Sequence, residues 1–341
     1  MGKLLEAGRT LAAGLTDTGF GHPFLATHFI TRVEAKALAG AECLASACKG
    51  MKGSMADLNA AQYTVAKGFL GVPRHVSMGS RAAVLAETRL LTRTGTALVV
   101  RVVMARARVV CLPLCHPAHL VMQAIVSQHI SGTWWEHSAA VVREWLGDRG
   151  ELWQLGPIPE AVRFSAVARR KFLTKYRRKV VVPRVRAAEL EWFRRELSKL
   201  RGGLVPYSGL APPLRPWRVA VRRARWGRVM WRLFRAWSVA RVTGEIPVVV
   251  WTGTSIGKVA AQCLLCGNVC IGLKHLLVDC IGCGDLRQEA AAPGVDSVLQ
   301  WALRGENDMA LLAAKVKFVG LCAARFVKAM ARGQVEVRVD S

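Results

Sequence analysis

The sequence predicts a mainly α fold: an array of helices, then a small unit built around cysteines and a histidine, then a closing helix. Three observations predict it. Apolar residues recur at helical spacing over most of the chain, cysteines crowd between Cys263 and Cys283, and positive charge is concentrated in the middle. At 341 residues, 52% hydrophobic and 21% charged, the chain has the composition of folded protein and the length for two or three modest domains.

Residues 1–75 alternate Ala-rich stretches with Gly breaks. Asp57, Leu58, Gln62, Val65, Phe69 and Leu70 keep helical spacing until Gly71-Val72-Pro73 stops it, so two or three helices are expected. Residues 76–160 continue the array. Ala83, Leu85, Leu90 and Leu91 are expected in one helix, and a strongly apolar segment runs from Ala97 to Val126. Cys111, Cys115, His116 and His119 interrupt that segment beside two prolines, where core packing is the expected role. The apolar excess of these helices also suggests that they pack against something further. The pattern breaks at Gly147-Asp148-Arg149-Gly150 and Gly156-Pro157-Ile158-Pro159, a boundary.

Residues 161–245 differ in kind. Between Arg163 and Arg241, Lys and Arg outnumber acids 23 to 3, which places +20 of the chain's +26 in this one segment. Such an excess repels itself unless a polyanion neutralises it, and nucleic acid is the first candidate, anionic membrane the second. Arg169, Arg170, Lys171, Lys175, Arg177, Arg178 and Lys179 form a dense block around Tyr176, suited to phosphates with a base stacked on the ring; a solvated face is the alternative. Gly202-Gly203 and Pro206 through Pro216 then divide the segment. Arg225, Arg228, Arg232 and Arg235 follow at helical spacing, with Trp226, Val229, Leu233, Trp237 and Ala240 on another face. An interfacial membrane helix or a calmodulin-type target would show the same pattern.

Residues 246–290 open with a β-type run, Ile246 to Trp251, and then carry Cys263-x2-Cys266-x8-His275-x4-Cys280. A Cys-x2-Cys turn presents two thiolates to one tetrahedral zinc, and the His and last Cys complete four ligands in a closed, structural site with no position left for catalytic water. The alternative is that these cysteines are small buried hydrophobes among Leu264, Leu265, Leu276 and Leu277; Cys270 and Cys283 are further thiols able to replace a ligand. Residues 291–341 follow a linker with a helix from Val298 to Ala331 and a terminal strand at Val335 to Val339.

The opening MGKLLEAGRT lacks a secretory pattern and no run reaches about 18 uninterrupted apolar residues. A nuclear or cytoplasmic protein without stable membrane insertion is expected, with reduced cysteines. No paired aspartates, phosphate loop or His-Glu-x-x-His helix is present, so an independent enzyme is not expected.

In order, these features resemble the region that follows fingers and palm in non-LTR retrotransposon reverse transcriptases. Phe29 to Glu42 (FITRVEAKALAGAE) is similar to the helix ending in a Tyr-Gly-Ala-Glu-like step, with Ala39 where an aromatic is common. Leu58 to Arg74 (LNAAQYTVAKGFLGVPR) is similar to the next helix, from a Leu-x-x-x-Gln opening to a Leu-Gly-x-Pro-Arg close. Glu87 to Leu91 stands at the Glu-Leu-Gly-type turn without its Gly. The Cys263, Cys266, His275, Cys280 set, with Arg287 beyond, is like the C-terminal knuckle of such elements. The resemblance implies thumb-like helices (1–75), a helical connector (76–160), a basic nucleic-acid-binding segment (161–245), a zinc knuckle (246–290) and a C-terminal helical segment (291–341). It also implies a grip on template RNA or target DNA, with the catalytic aspartates upstream of Met1 or on a separate polymerase core. A membrane- or partner-binding protein without metal, and a degenerate fragment of a retroelement, are the alternatives.

Overall fold

Where the sequence repeats apolar residues every third or fourth position, the backbone closes into helices, and it does so even where short-range pattern suggests otherwise. The computed structural model describes residues 6, 10, 22–39, 51–78, 80–146, 155, 157–199, 226–252, 263–268, 272–290, 295–304 and 308–339. Among these residues the regular structure is helical and no strand occurs.

Helix α1 (His22–His28) runs through a π-helical stretch, Phe29–Glu34, into Ala35–Ala37. Helix α2 (Met51–Phe69) ends where expected: Gly71 adopts φ 74°, and the buried Lys67 ammonium donates to the carbonyls of Arg74 at 2.6 Å and Val76 at 2.8 Å. Helix α3 (Arg81–Glu87) is capped by Ser80, whose hydroxyl accepts from the Ala83 N–H. It stops earlier than the spacing predicts, because Arg89 turns to φ 64°; Leu90 is buried outside the helix.

The apolar segment from Ala97 to Val126 is two helices, α4 (Thr94–Val110) and α5 (Pro117–Ser127). His116 caps α5 through Nδ1, which accepts from Ala118, and Pro117 takes the first helical position. Cys111 and His119 are buried, as core packing predicts, but Cys115 and His116 are exposed. Helices α6 (Trp134–Leu146), α7 (Glu160–Phe164) and α8 (Ala166–Tyr176) follow; a π-helical turn, Arg177–Val181, joins α8 to α9 (Val182–Ser198).

Helix α10 (Arg228–Thr243) closes at Gly244, φ 70°. The expected β run at Ile246 to Trp251 instead turns at Pro247 into α11 (Val249–Thr252), with the Val250 N–H donating to the Pro247 carbonyl. An isolated strand leaves its backbone groups unpaired, whereas one helical turn pairs them locally while Ile246, Val248 and Val249 stay buried. Helices α12 (Gly284–Glu289), α13 (Val295–Leu303) and α14 (Met309–Val339) complete the described elements; α14 absorbs Val335 to Val339, where a strand was expected. The Gly- and Pro-rich divider at 202–216 lies outside the described residues.

Two compact units, interleaved in sequence, result: one draws on Arg32–Gln62 and Thr92–Trp192, the other on Tyr63–Leu91 and Phe193–Ser341. The first centres on Leu98, Val99, Val102 and Val103 of α4 with Leu173 and Tyr176 of α8. In the second, α10 crosses α14, and Gly320 lets the backbones approach: a Cβ there would fall 2.8 Å from Leu233 Cβ. Phe234 stacks on Trp237 at 5.6 Å, and the Trp237 indole N–H donates to the Ala302 carbonyl at 2.7 Å. Glu87 of α3 meets Arg241 of α10 in this core and accepts from the Ser238 hydroxyl at 3.0 Å; the Arg241 guanidinium also donates to the Leu303 carbonyl. Full burial pulls Arg241 below the usual guanidinium range, with Glu87 opposing.

Candidate metal centre and basic surface

Cys263 opens a tight turn: Cys266 and Gly267 both donate main-chain N–H groups to its carbonyl, and Gly267 takes φ 73°. This hairpin aims Cys263 and Cys266 the same way. The second pair comes from a helical turn, Gly272–Lys274, that widens into a π-helical turn, His275–Asp279, and ends with the Cys280 N–H donating to the His275 carbonyl at 2.8 Å. The ligand atoms of Cys263, Cys266, His275 and Cys280 all lie within 4.8 Å of one another.

Cys263 Sγ is 3.7 Å from Cys280 Sγ, and Cys266 Sγ is 3.3 Å from His275 Nε2. Around a tetrahedral zinc, with bonds of about 2.3 Å to sulfur and 2.0 Å to nitrogen, the corresponding edges are about 3.8 and 3.5 Å. The donor set therefore fits one tetrahedral cation. Cys263, His275 and Cys280 are buried and Cys266 is half-buried, so thiolates gathered here need a positive charge among them. Burial, followed by the Cys263 thiol, pushes the Cys280 thiol up; a bound cation would reverse that.

The site is braced from behind. The Arg287 guanidinium donates to the carbonyls of Leu277 at 3.2 Å and Cys280 at 2.9 Å. Arg325 of α14 donates to the Gly282 carbonyl and grips Asp285 with two bonds, at 2.6 and 2.8 Å, which holds the Asp285 carboxyl down to about 2. Gly282 is a glycine for a steric reason: a Cβ there would meet the Leu265 carbonyl oxygen at 2.9 Å, so the two ligand-bearing loops touch through it. Of the two further thiols, Cys283 hydrogen-bonds Cys322 and is not one of the four clustered ligands, and Cys270 lies outside the described residues. Arg325 and Gly282 carry no local sequence signal.

The basic block splits by role. Arg169 is committed to the fold: its Nε donates to the Cys111 carbonyl at 3.1 Å and its Nη2 to the Arg163 carbonyl, while Arg163 donates to the carbonyls of Val110 and Leu112. The two arginines satisfy the carbonyls left at the end of α4. Tyr176 is not a stacking platform; its ring is buried with Leu173 and Val181, and burial pushes its hydroxyl up to about 12. Arg170, Lys171, Lys175, Arg177, Arg178 and Lys179 are exposed, and among the described residues none is paired with a carboxylate.

The arginine stripe of α10 does not persist as a free face. Arg225 lies outside the described residues; Arg228 and Arg232 are exposed, Arg232 over the Trp251 ring at 5.7 Å, and Arg235 is half-buried. Val229, expected on the apolar face, is 72% exposed, whereas Trp231, Phe234 and everything from Ala236 to Val242 is buried. Helix α10 is thus a core helix, enclosed on most of its circumference along its second half. Two arginines not singled out by the sequence, Arg101 and Arg108 on one face of α4, line grooves with Arg177; their seven-residue spacing is the signal that could have found them.

No family model, curated protein or solved structure matches this chain.

Proposed function

We propose that this chain binds nucleic acid, as the thumb-like, connector and zinc-knuckle region of a retroelement-type reverse transcriptase whose catalytic aspartates lie outside it. The observation that carries nucleic-acid binding is the row of exposed cations at Arg170, Lys171, Lys175, Arg178 and Lys179, two rows of positions on one face of α8 and its π-helical extension. Unneutralised side by side, these groups repel; phosphates spaced along a strand relieve that repulsion and release counterions. The Cys263, Cys266, His275, Cys280 cluster supports the knuckle, with zinc as the fitting structural ion.

Helix α5 supports a further protein partner: Leu120, Val121 and Val126 are each at least half exposed, an apolar surface of the kind a separate polymerase core would cover. No described helix is long and apolar enough to cross a membrane.

The test is a salt titration of binding to labelled RNA and DNA. Affinity should fall with salt at roughly the 0.7 to 0.9 power per phosphate contact, so five contacts give a slope of about −4. A flat response, or stronger binding to anionic vesicles in direct competition, overturns nucleic-acid binding. The retroelement half is tested by reading the coding frame upstream of the Met1 codon: an in-frame segment with paired aspartates supports it, an immediate stop does not.

A further inference from the structure

Grooves of about 560 and 220 Å3 adjoin between α4 and α8, sharing Met104, Arg108 and Arg177. Arg101 and Arg108 stand on the α4 wall and Arg170 and Arg177 on the other; Met104 and Leu173 form an apolar floor. No lining residue carries a carboxylate. Arg108, Arg170 and Arg177 are exposed, and Arg101 is half-buried with its guanidinium on the Ala35 carbonyl at 3.3 Å.

Both walls use the same period. Arg101 and Arg108 are seven residues apart, as are Arg170 and Arg177, and seven residues of helix rise about 10.5 Å. That spacing sets the two arginines of each wall at successive points along the groove, as phosphates recur along a strand. The walls are neighbouring packed helices, and the channel between their side chains is far narrower than a nucleic-acid duplex, so a single strand is the form that can lie along it. An apolar floor suits sugars and base edges, and arginine forks suit phosphate oxygens.

We infer that the groove between α4 and α8 seats a single nucleic-acid strand, its phosphates held by Arg101 and Arg108 on one wall and Arg170 and Arg177 on the other. This rests on the nucleic-acid binding proposed above and names the part of the surface that does it. Arg170 and Thr174 line both the groove and the lysine-rich outer face, so the outer face gathers the strand and the groove holds it.

The experiment measures anisotropy of a labelled single-stranded oligonucleotide of mixed sequence with the full chain over a salt series. The double variant R108Q/R177Q should keep the wild-type melting temperature, since both side chains are exposed, and should bind about tenfold weaker per arginine removed. Its salt slope should be shallower by about 1.4, the loss of two single-strand phosphate contacts. The outer-face double variant K171Q/K179Q should also weaken binding, but by less than R108Q/R177Q, because a lysine offers phosphate a point charge and not a bidentate fork. Equal or greater loss in K171Q/K179Q overturns the groove while leaving nucleic-acid binding intact, as does equal competition by duplex; displacement by anionic vesicles, or no binding by the wild-type chain, overturns both.

Discussion

Glu189 of α9 caps α4 from outside it: its carboxylate accepts the Arg93 N–H at 2.9 Å and the Thr96 hydroxyl at 2.6 Å, and pairs with the Arg93 guanidinium at 2.7 Å. Arg93 in turn lies over the Trp192 ring at 4.1 Å. Gln62 and Asn59 of α2 accept the next two N–H groups, of Thr94 and Gly95. The N-terminus of α4 has no capping residue of its own, so long-range side chains supply what sequence-local ones usually do. Glu189→Ala should cost about 3 kcal/mol, because it orphans the Arg93 N–H and the Thr96 hydroxyl and takes the carboxylate away from a largely buried guanidinium. Glu189→Gln, which keeps an acceptor oxygen, should cost less than half of that. Urea unfolding of the two variants measures both.

The second prediction concerns metal. The full chain should bind one zinc, and cobalt in its place should give the visible absorption of tetrahedral thiolate coordination. Cys263→Ser, His275→Ala and Cys280→Ser should each abolish those bands, while Cys283→Ala should retain them. Because the cysteine ligands bind as thiolates and burial pushes Cys280 up, metal should be released as pH falls, with proton uptake. A chain that carries no metal at neutral pH, or keeps it after Cys280→Ser, contradicts the assignment.

Gly320 separates two opposing effects. In an isolated helix, Gly320→Ala should gain about 1 kcal/mol of propensity. Here the new methyl would fall 2.6 to 3.0 Å from Leu233 side-chain and backbone atoms, so overpacking should win and the net effect should be a loss of about 1–2 kcal/mol. Pairing it with Leu233→Ala should recover less than additive cost, which a double-mutant cycle reads directly.

Glu34 sets a pH dependence. Burial raises its pKa above the usual 4.5, opposed by the Thr94 hydroxyl, which donates to Oε1 at 2.8 Å, and by Arg101. An acid whose folded pKa is raised favours folding while protonated. Its contribution is full below about pH 4.5 and declines as pH rises through the folded value. Glu34→Gln should therefore flatten the stability profile above pH 4.5 and match wild type below it. Parallel profiles for the two proteins would contradict this.

The sequence by itself determined the helical class, the end of α2 at Gly71 and the four clustered ligands, because each depends on spacing within one short stretch. Helical period, a left-handed glycine and a Cys-x2-Cys turn are local facts of the backbone. Only the tertiary structure decided which charges are free. Arg169, Arg241 and Arg177 are the same residue type in the same basic segment. One closes the end of α4, one is buried against Glu87, and one is exposed beside a groove, because long-range packing sets which carbonyls and carboxylates each guanidinium meets. The same holds for Ile246 to Trp251: its apolar run fits a strand or a helical turn, and among the described residues no neighbouring strand was there to pair it. Periodicity decides the element; what packs against it decides the face.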